Sequence, residues 1–161
     1  MGLPPSAARV QAALGAAGSE AIVLETPSST RTAAEAARSV GAEVGQIVKS
    51  LVFLADGEPV LLLVAGDRRV DLRKAAVLAE ARTLVRPDAA VVREVTGYAI
   101  GGVPPLGHDR ALPAFMDESL RRFEVVWAAG GTPSAVFATS PEELESLTRA
   151  VVGDLTEGEG S

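Results

Sequence analysis

Two apolar runs constrain this chain more than any other feature. Ile47–Ala55 (IVKSLVFLA) and Pro59–Ala65 (PVLLLVA) flank Asp56-Gly57, a short turn signal. A strand with one wet face alternates apolar and polar residues. These two runs are apolar at nearly every position, which fits strands covered on both faces. The pair is therefore expected as a hairpin at the centre of a sheet packed between other layers. One residue breaks the pattern: Lys49 shares a strand face with Leu51 and Phe53, while Val48, Ser50, Val52 and Leu54 share the other.

The flanking segments supply helices and shorter strands. Ser6 is placed to cap a helix running to about Ala17, with Gly18 as its stop. Ala21–Leu24 reads as a short strand and Thr26–Thr30 as a loop. Thr32-Ala33-Ala34-Glu35 is a capping box opening a helix that ends at Gly41. Asp71–Ala81 reads as a helix, Arg82–Val85 as a short strand, and Pro87 as the first turn of a helix ending near Gly97. Gly101–Gly107 (GGVPPLG) cannot be regular structure. Leu112–Met116, Glu124–Ala128 and Ala135–Ala138 read as strands, the last two separated by a turn at Gly130–Ser134. Ser140-Pro141-Glu142-Glu143 is a second capping box, its helix expected to reach Val152 and stop at Gly153, with Glu157–Ser161 as a frayed tail. Helices mixed irregularly with hairpin-connected strands give an α+β fold and argue against a doubly wound one. The 161 residues fit one domain, with its core between about residues 6 and 155.

Composition removes several kinds of chemistry. The chain has no cysteine, so disulfide scaffolds, cysteine zinc sites and thiol catalysis are excluded. It has one histidine, His108, which excludes a histidine-rich metal site. No P-loop, GxGxxG, HExxH or GxSxG pattern is present. No apolar run is long enough to cross a bilayer and the first residues do not read as a secretion signal, so a cytoplasmic protein is expected. A net charge of −6 is a poor match for coating long nucleic acid, and no DNA partner is expected, but recognition of one RNA end through a local patch is compatible with it.

Four features bear on function. His108 reads as a surface residue of the Gly/Pro loop. Lys49 is one of only two lysines among 15 basic residues, yet it lies inside an apolar strand. Such an ammonium must reach water, pair with Asp67 or Asp71, or serve a ligand. The Gly101-Gly102-Val103-Pro104-Pro105 loop combines glycines, which let backbone N–H groups approach a ligand, with prolines that stiffen the frame. Alternatively it is a structural crossover. Finally, Arg68, Arg69, Arg73 and Lys74 follow the second apolar run, and form either a solvated helix start or a cationic rim.

These segments occur in a telling order: IVKSLVF, GDRRVDLRK, TGYAIGGVPPLGH, LPAFMDE, VWAAGG, then a helix opening SPEEL. The set resembles the YbaK/ProX family, stand-alone relatives of the editing domain inserted in bacterial prolyl-tRNA synthetases, over nearly the whole chain. The resemblance implies a compact α+β domain whose twisted, mixed, partly barrel-like sheet is wrapped by helices. It implies hydrolysis of the ester on mischarged tRNA, most often Ala or Cys on proline tRNA, without cofactor or metal. Its partners would be the acceptor end of that tRNA and prolyl-tRNA synthetase. Lys49 matches the family's functional lysine in a K-[ST]-L strand, followed here by Ser50. Gly101, Gly102, Val103 and Pro105 match its GxxxP loop, and Gly130 and Gly131 its small turn.

Where other members carry Tyr or His near the first loop, this chain offers Thr26, Ser28, Ser29 and Thr30, of which Ser28 and Thr30 are taken as substrate-binding candidates. Where many carry Asp, His or Asn after the GG turn, it offers Ser134. The loss of that polar group supports a second reading, a non-catalytic module that binds aminoacyl-adenylate or charged tRNA or docks on a synthetase. On the catalytic reading, Lys49 holds the ester or the terminal nucleotide and the loop donates backbone hydrogen bonds. Arg68, Arg69, Arg73 and Lys74 contact phosphates. The small residues Gly101, Gly102, Ser134, Ala135 and Val136 imply a small pocket that excludes proline by shape.

Overall fold

A computed structural model describes residues 2–27 and 29–157. The chain runs α1 (Pro5–Ala16), β1 (Leu24–Glu25), α2 (Ala33–Val40), β2 (Ile47–Ala55), β3 (Glu58–Ala65), α3 (Leu72–Leu78), β4 (Leu84–Val85) and α4 (Ala89–Thr96). It continues with β5 (Ala114–Asp117), β6 (Val126–Ala129), β7 (Ala135–Thr139), α5 (Pro141–Thr148) and β8 (Val151–Gly153). The strands form one mixed eight-stranded sheet in the order β1-β7-β6-β2-β3-β5-β8, with β4 also paired to β2. β2 and β3 are its centre, as their two-sided apolar composition requires. Leu61, Leu62, Leu63 and Val64 are essentially inaccessible to water.

The strand pleat divides the core into layers. Val48, Val52, Leu61 and Leu63 pack with Ala7, Val10 and Leu14 of α1, Val92 of α4 and Leu144 of α5. On the opposite face Phe53, Val60, Leu62 and Val64 pack with Ala75 of α3 and with Leu155. Ile47 and Trp127 on that same face pack against Ala36 and Ala37 of α2. Lys49 lies between Ile47 and Leu51 on this face, at the seam where the α2 cover ends and the α3 cover begins. The seam is what lets a charged side chain sit in an apolar strand.

Local chemistry sets most boundaries. Thr32 and Glu35 form the reciprocal capping box of α2, and Gly41 ends it in the left-handed region at φ 69°. Several expectations are corrected. α1 starts at Pro5, so Ser6 lies inside the first turn and caps nothing. The strand expected at Ala21–Leu24 is reduced to Leu24–Glu25. Asp88 caps α4, so Pro87 precedes the helix. α5 ends at Thr148, where Arg149 adopts the left-handed conformation, and Val151–Gly153 is a strand parallel to β5. At the other end Ser140 caps α5 by accepting from the Glu143 N–H, but the expected capping box is not reciprocal, because the Glu143 carboxylate accepts from Thr139 and Ser19 instead. Glu157 is not frayed, since its N–H donates to the Arg69 carbonyl, and the rest of the expected tail lies outside the described residues. No helix among the described residues is long and apolar enough to cross a membrane.

Candidate active site

The site begins with a gap in the sheet. β3 pairs with β2 along its length, from Val48↔Ala65 to Ala55↔Glu58. On its other edge β2 meets β6 only at Ile47 and Val48, and β4 only at Leu54 and Ala55. The edge between, Lys49 to Phe53, has no strand partner among the described residues. The Gly66 N–H donates to the Ile47 carbonyl, which places Ile47, Lys49, Leu51 and Phe53 in bonding register with β3. The peptide groups of Ser50 and Val52 therefore face the gap. The Ser50 hydroxyl is buried with no hydrogen-bond partner among the described residues. Buried main-chain groups and hydroxyls are almost always paired, so this edge is built to receive donors and acceptors from elsewhere.

A cavity of about 400 Å³ opens over this edge. It wraps the strand, meeting Val48, Ser50 and Val52 from one face and Lys49, Leu51 and Phe53 from the other. Thr30–Ala33, Arg86–Pro87, Ile100–Gly101, Val103, Trp127–Ala129 and Val136 contribute to its walls. A largely apolar cleft with a few convergent polar groups is the usual form of a small-molecule site.

Lys49 is the ionisable group at its centre. Its Nζ donates to the Arg68 carbonyl at 2.5 Å, rather than pairing directly with Asp67 or Asp71. Burial holds its pKa below the ordinary lysine value, Arg86 and Arg69 push it the same way, and Asp67 opposes them. Asp67 is itself committed: Arg122 donates to both its oxygens at 2.8 and 3.1 Å. That hydrogen bonding, with the charges of Arg122 and Arg68, keeps Asp67 below the usual carboxylate range. In a chain of net charge −6, the cavity is lined, among the described residues, by Arg31, Lys49 and Arg86 and by no carboxylate.

The loop at Gly101 is held rather than loose. His108 Nε2 lies 2.7 Å from the Pro104 carbonyl, and the Tyr98 hydroxyl donates to the Gly107 carbonyl at 2.9 Å. Arg9 donates to Gly107 and Asp109 and lies over the Tyr98 ring. His108 is thus a half-buried tie inside the loop and not the surface residue expected; burial is the main reason its pKa is lowered. Gly101 adopts φ +96° against the Arg31 side chain. A Cβ on Gly102 would lie 2.7–3.0 Å from the Thr132 backbone, so this glycine lets the loop seat on the β6–β7 turn.

The cavity brings together five of the residues picked out from sequence: Thr30, Lys49, Ser50, Gly101 and Val103. Gly102, Pro105, Gly130, Gly131 and Ser134 lie outside its lining. Gly130 and Gly131 pack against Val23 and the Ser6 backbone, and the Ser134 carbonyl accepts from Thr26. Ser28 is outside the described residues. Arg68, Arg69, Arg73 and Lys74 also lie outside the lining; Arg68 is largely covered beside Asp67, and Lys74 bonds to Asp154 and the Thr156 carbonyl. Of the small residues thought to shape the pocket, Gly101 and Val136 line the cavity and Gly102, Ser134 and Ala135 do not. Arg31, Arg86 and Trp127 were missed. Trp127 sits in the VWAAGG segment but nothing in that pattern marks its ring, and only the fold brings the three to the open edge.

Three comparisons place this architecture. Residues 27–147 match the model of the aminoacyl-tRNA editing domain. A crystal structure of a proposed trans-editing enzyme for prolyl-tRNA synthetase superposes with a TM-score of 0.92 at 55% identity, over 98% of this chain and 100% of that one. Among curated relatives, the uncharacterized protein YwhH of Bacillus subtilis (strain 168) is 34% identical over 128 residues, covering 78% of this chain and 80% of the relative. A proposed Cys-tRNA(Pro)/Cys-tRNA(Cys) deacylase, EbsC of Enterococcus faecalis (strain ATCC 700802 / V583), is 26% identical over 126 residues, covering 78% and 77%. With the editing model spanning most of its length and a solved structure at 55% identity matched nearly end to end, the chain belongs to the aminoacyl-tRNA editing domain family.

Proposed function

We propose that the protein is a trans-editing deacylase that hydrolyses the ester between a wrong amino acid and proline tRNA, Ala and Cys being the first candidates. The observation that carries this reading is the unpaired β2 edge inside an apolar, cationic cavity. An aminoacyl ester has the groups the edge lacks. Its α-ammonium donates to the main-chain carbonyls of Ser50 and Val52, and its carbonyl oxygen accepts from an N–H. The Gly102 N–H is taken by the Ala99 carbonyl, so the loop's donors are the peptides of Gly101 and Val103.

The chemistry needs no strong nucleophile, because the ester is already activated. Water adds to the carbonyl carbon, the C–O bond to the ribose breaks, and the proton passes to the departing ribose oxygen. Lys49 and the loop N–H groups stabilise the oxyanion, each oriented donor being worth about 2.7–4 kcal/mol where such donors have been removed. The Ser50 hydroxyl, without a partner, orients the water or the ammonium.

The test is multiple-turnover deacylation of Ala-, Cys-, Ser-, Thr- and Pro-charged proline tRNA at substoichiometric protein. Turnover of at least one mischarged species, with the Pro-charged one spared, supports the reading. Binding of charged tRNA without turnover leaves the non-catalytic module instead.

A further inference from the structure

We propose that Arg31 and Arg86 form a clamp at the cavity mouth that grips the RNA phosphodiester just 5′ of the nucleotide carrying the ester. This rests on the deacylase reading of the same cavity and adds how the site takes a nucleic-acid-borne ester in preference to a free one.

Both arginines line the cavity, and both are exposed to solvent. Neither has a carboxylate within salt-bridge distance among the described residues. Four arginines away from the cavity are ion-paired: Arg9 with Asp109, Arg110 with Glu58, Arg121 with Glu145 and Arg122 with Asp67. The two at the cavity are positioned by contacts that leave their charge available. The Arg86 guanidinium sits 5.4 Å over the Phe53 ring, and Phe53 belongs to the open strand. The Arg31 stem packs where Gly101 lacks a side chain; a Cβ there would lie 2.6 Å from its Cγ.

They approach the gap from different elements. Arg86 follows β4, which closes the gap at Leu54–Ala55. Arg31 follows Thr30, whose N–H and hydroxyl both donate to the Pro133 carbonyl in the β6–β7 turn. Val48, Leu51, Val52 and Phe53 give the cavity an apolar lining that suits an uncharged group better than a phosphate. An ester attached to RNA places its uncharged end inside and its nearest phosphate at the rim, where these guanidiniums stand. Guanidinium–phosphate pairing is strong and directional.

The experiment measures binding of an uncharged RNA hairpin ending in single-stranded CCA by fluorescence anisotropy across a salt series. The proteins are wild type, Arg31→Gln, Arg86→Gln, the double variant, and Arg121→Gln as a control away from the cavity. Each cavity variant is expected to weaken binding by about five- to tenfold, the size of a lost charge-assisted contact at a wet rim. The logarithmic salt slope should fall by about 0.7 per arginine. KM for charged tRNA should rise by the same factor with kcat held, and Arg121→Gln should match wild type.

An unchanged salt slope in the double variant, or a loss confined to kcat, overturns the clamp. So does inorganic phosphate competing as effectively as the RNA at equal concentration, which would make this a free-anion site. Arginine-dependent RNA binding without hydrolysis sinks the deacylase and keeps the clamp; hydrolysis with KM unmoved in the double variant does the reverse.

Discussion

Burial, reinforced by the positive charges of Arg86 and Arg69, disfavours the charged form of Lys49. Its folded pKa lies below its unfolded value, so the penalty is present at neutral pH and is relieved as pH rises through the folded pKa. Lys49→Met should therefore unfold at pH 7 no earlier than wild type, in a thermal melt, while deacylation falls by about 100-fold or more, as for loss of an oxyanion-stabilising group. A folded variant with near-wild-type rates would make Lys49 structural. His108 has the same sign of shift at a different pH. Its neutral ring is favoured by burial against Tyr98, with Arg9 and Asp109 as the charged groups nearby. Stability from that preference is full above the unfolded pKa and is lost as pH falls through the folded one. Comparing melts at pH 7 and pH 5, His108→Gln should lose less stability on acidification than wild type; equal losses would mean the ring does not titrate with unfolding.

At the scale of elements, the central hairpin was legible because composition alone specifies a strand buried on both faces, and α2 because its capping box is reciprocal. β8 was not legible: Val151–Gly153 follows an uninterrupted helical pattern, and only pairing with Phe115–Asp117 makes it a strand. The candidate site divides the same way. Lys49 and the Gly101 loop stand out because their residue types clash with their surroundings, whereas the open edge is a property of pairing between segments some 30 to 80 residues apart. Gly102 shows what that pairing demands. Gly102→Ala forces a methyl against the Thr132 backbone and should destabilise the fold by about 1–3 kcal/mol, read from urea unfolding. It should also lower kcat, because the loop is displaced from the cavity; an unchanged midpoint would mean that the loop is not seated by this contact.

For the molecule as a whole, a buried carboxylate ties the end of the described chain to the sheet, beside main-chain bonds to Arg69 and Asp71. Asp117 accepts from the Leu155 and Ser119 N–H groups and from the hydroxyls of Ser119 and Thr156. Asp117→Ala leaves these donors unmet and should cost about 3 kcal/mol or more in a denaturant titration, with Asp117→Asn less severe. A loss under about 1 kcal/mol would show that the C-terminal segment is not held by this residue. The central claim, that the unpaired edge of β2 receives the ester, is tested most directly by a crystal structure. The ligand is the non-hydrolysable amide analogue, 3′-alanylamino-3′-deoxyadenosine. The predicted result is the alanyl ammonium bonded to the main chain of Ser50 and Val52, its carbonyl toward Gly101 and Lys49, and the nucleoside leading out between Arg31 and Arg86. An analogue bound elsewhere, with the Ser50–Val52 edge still empty, would contradict it.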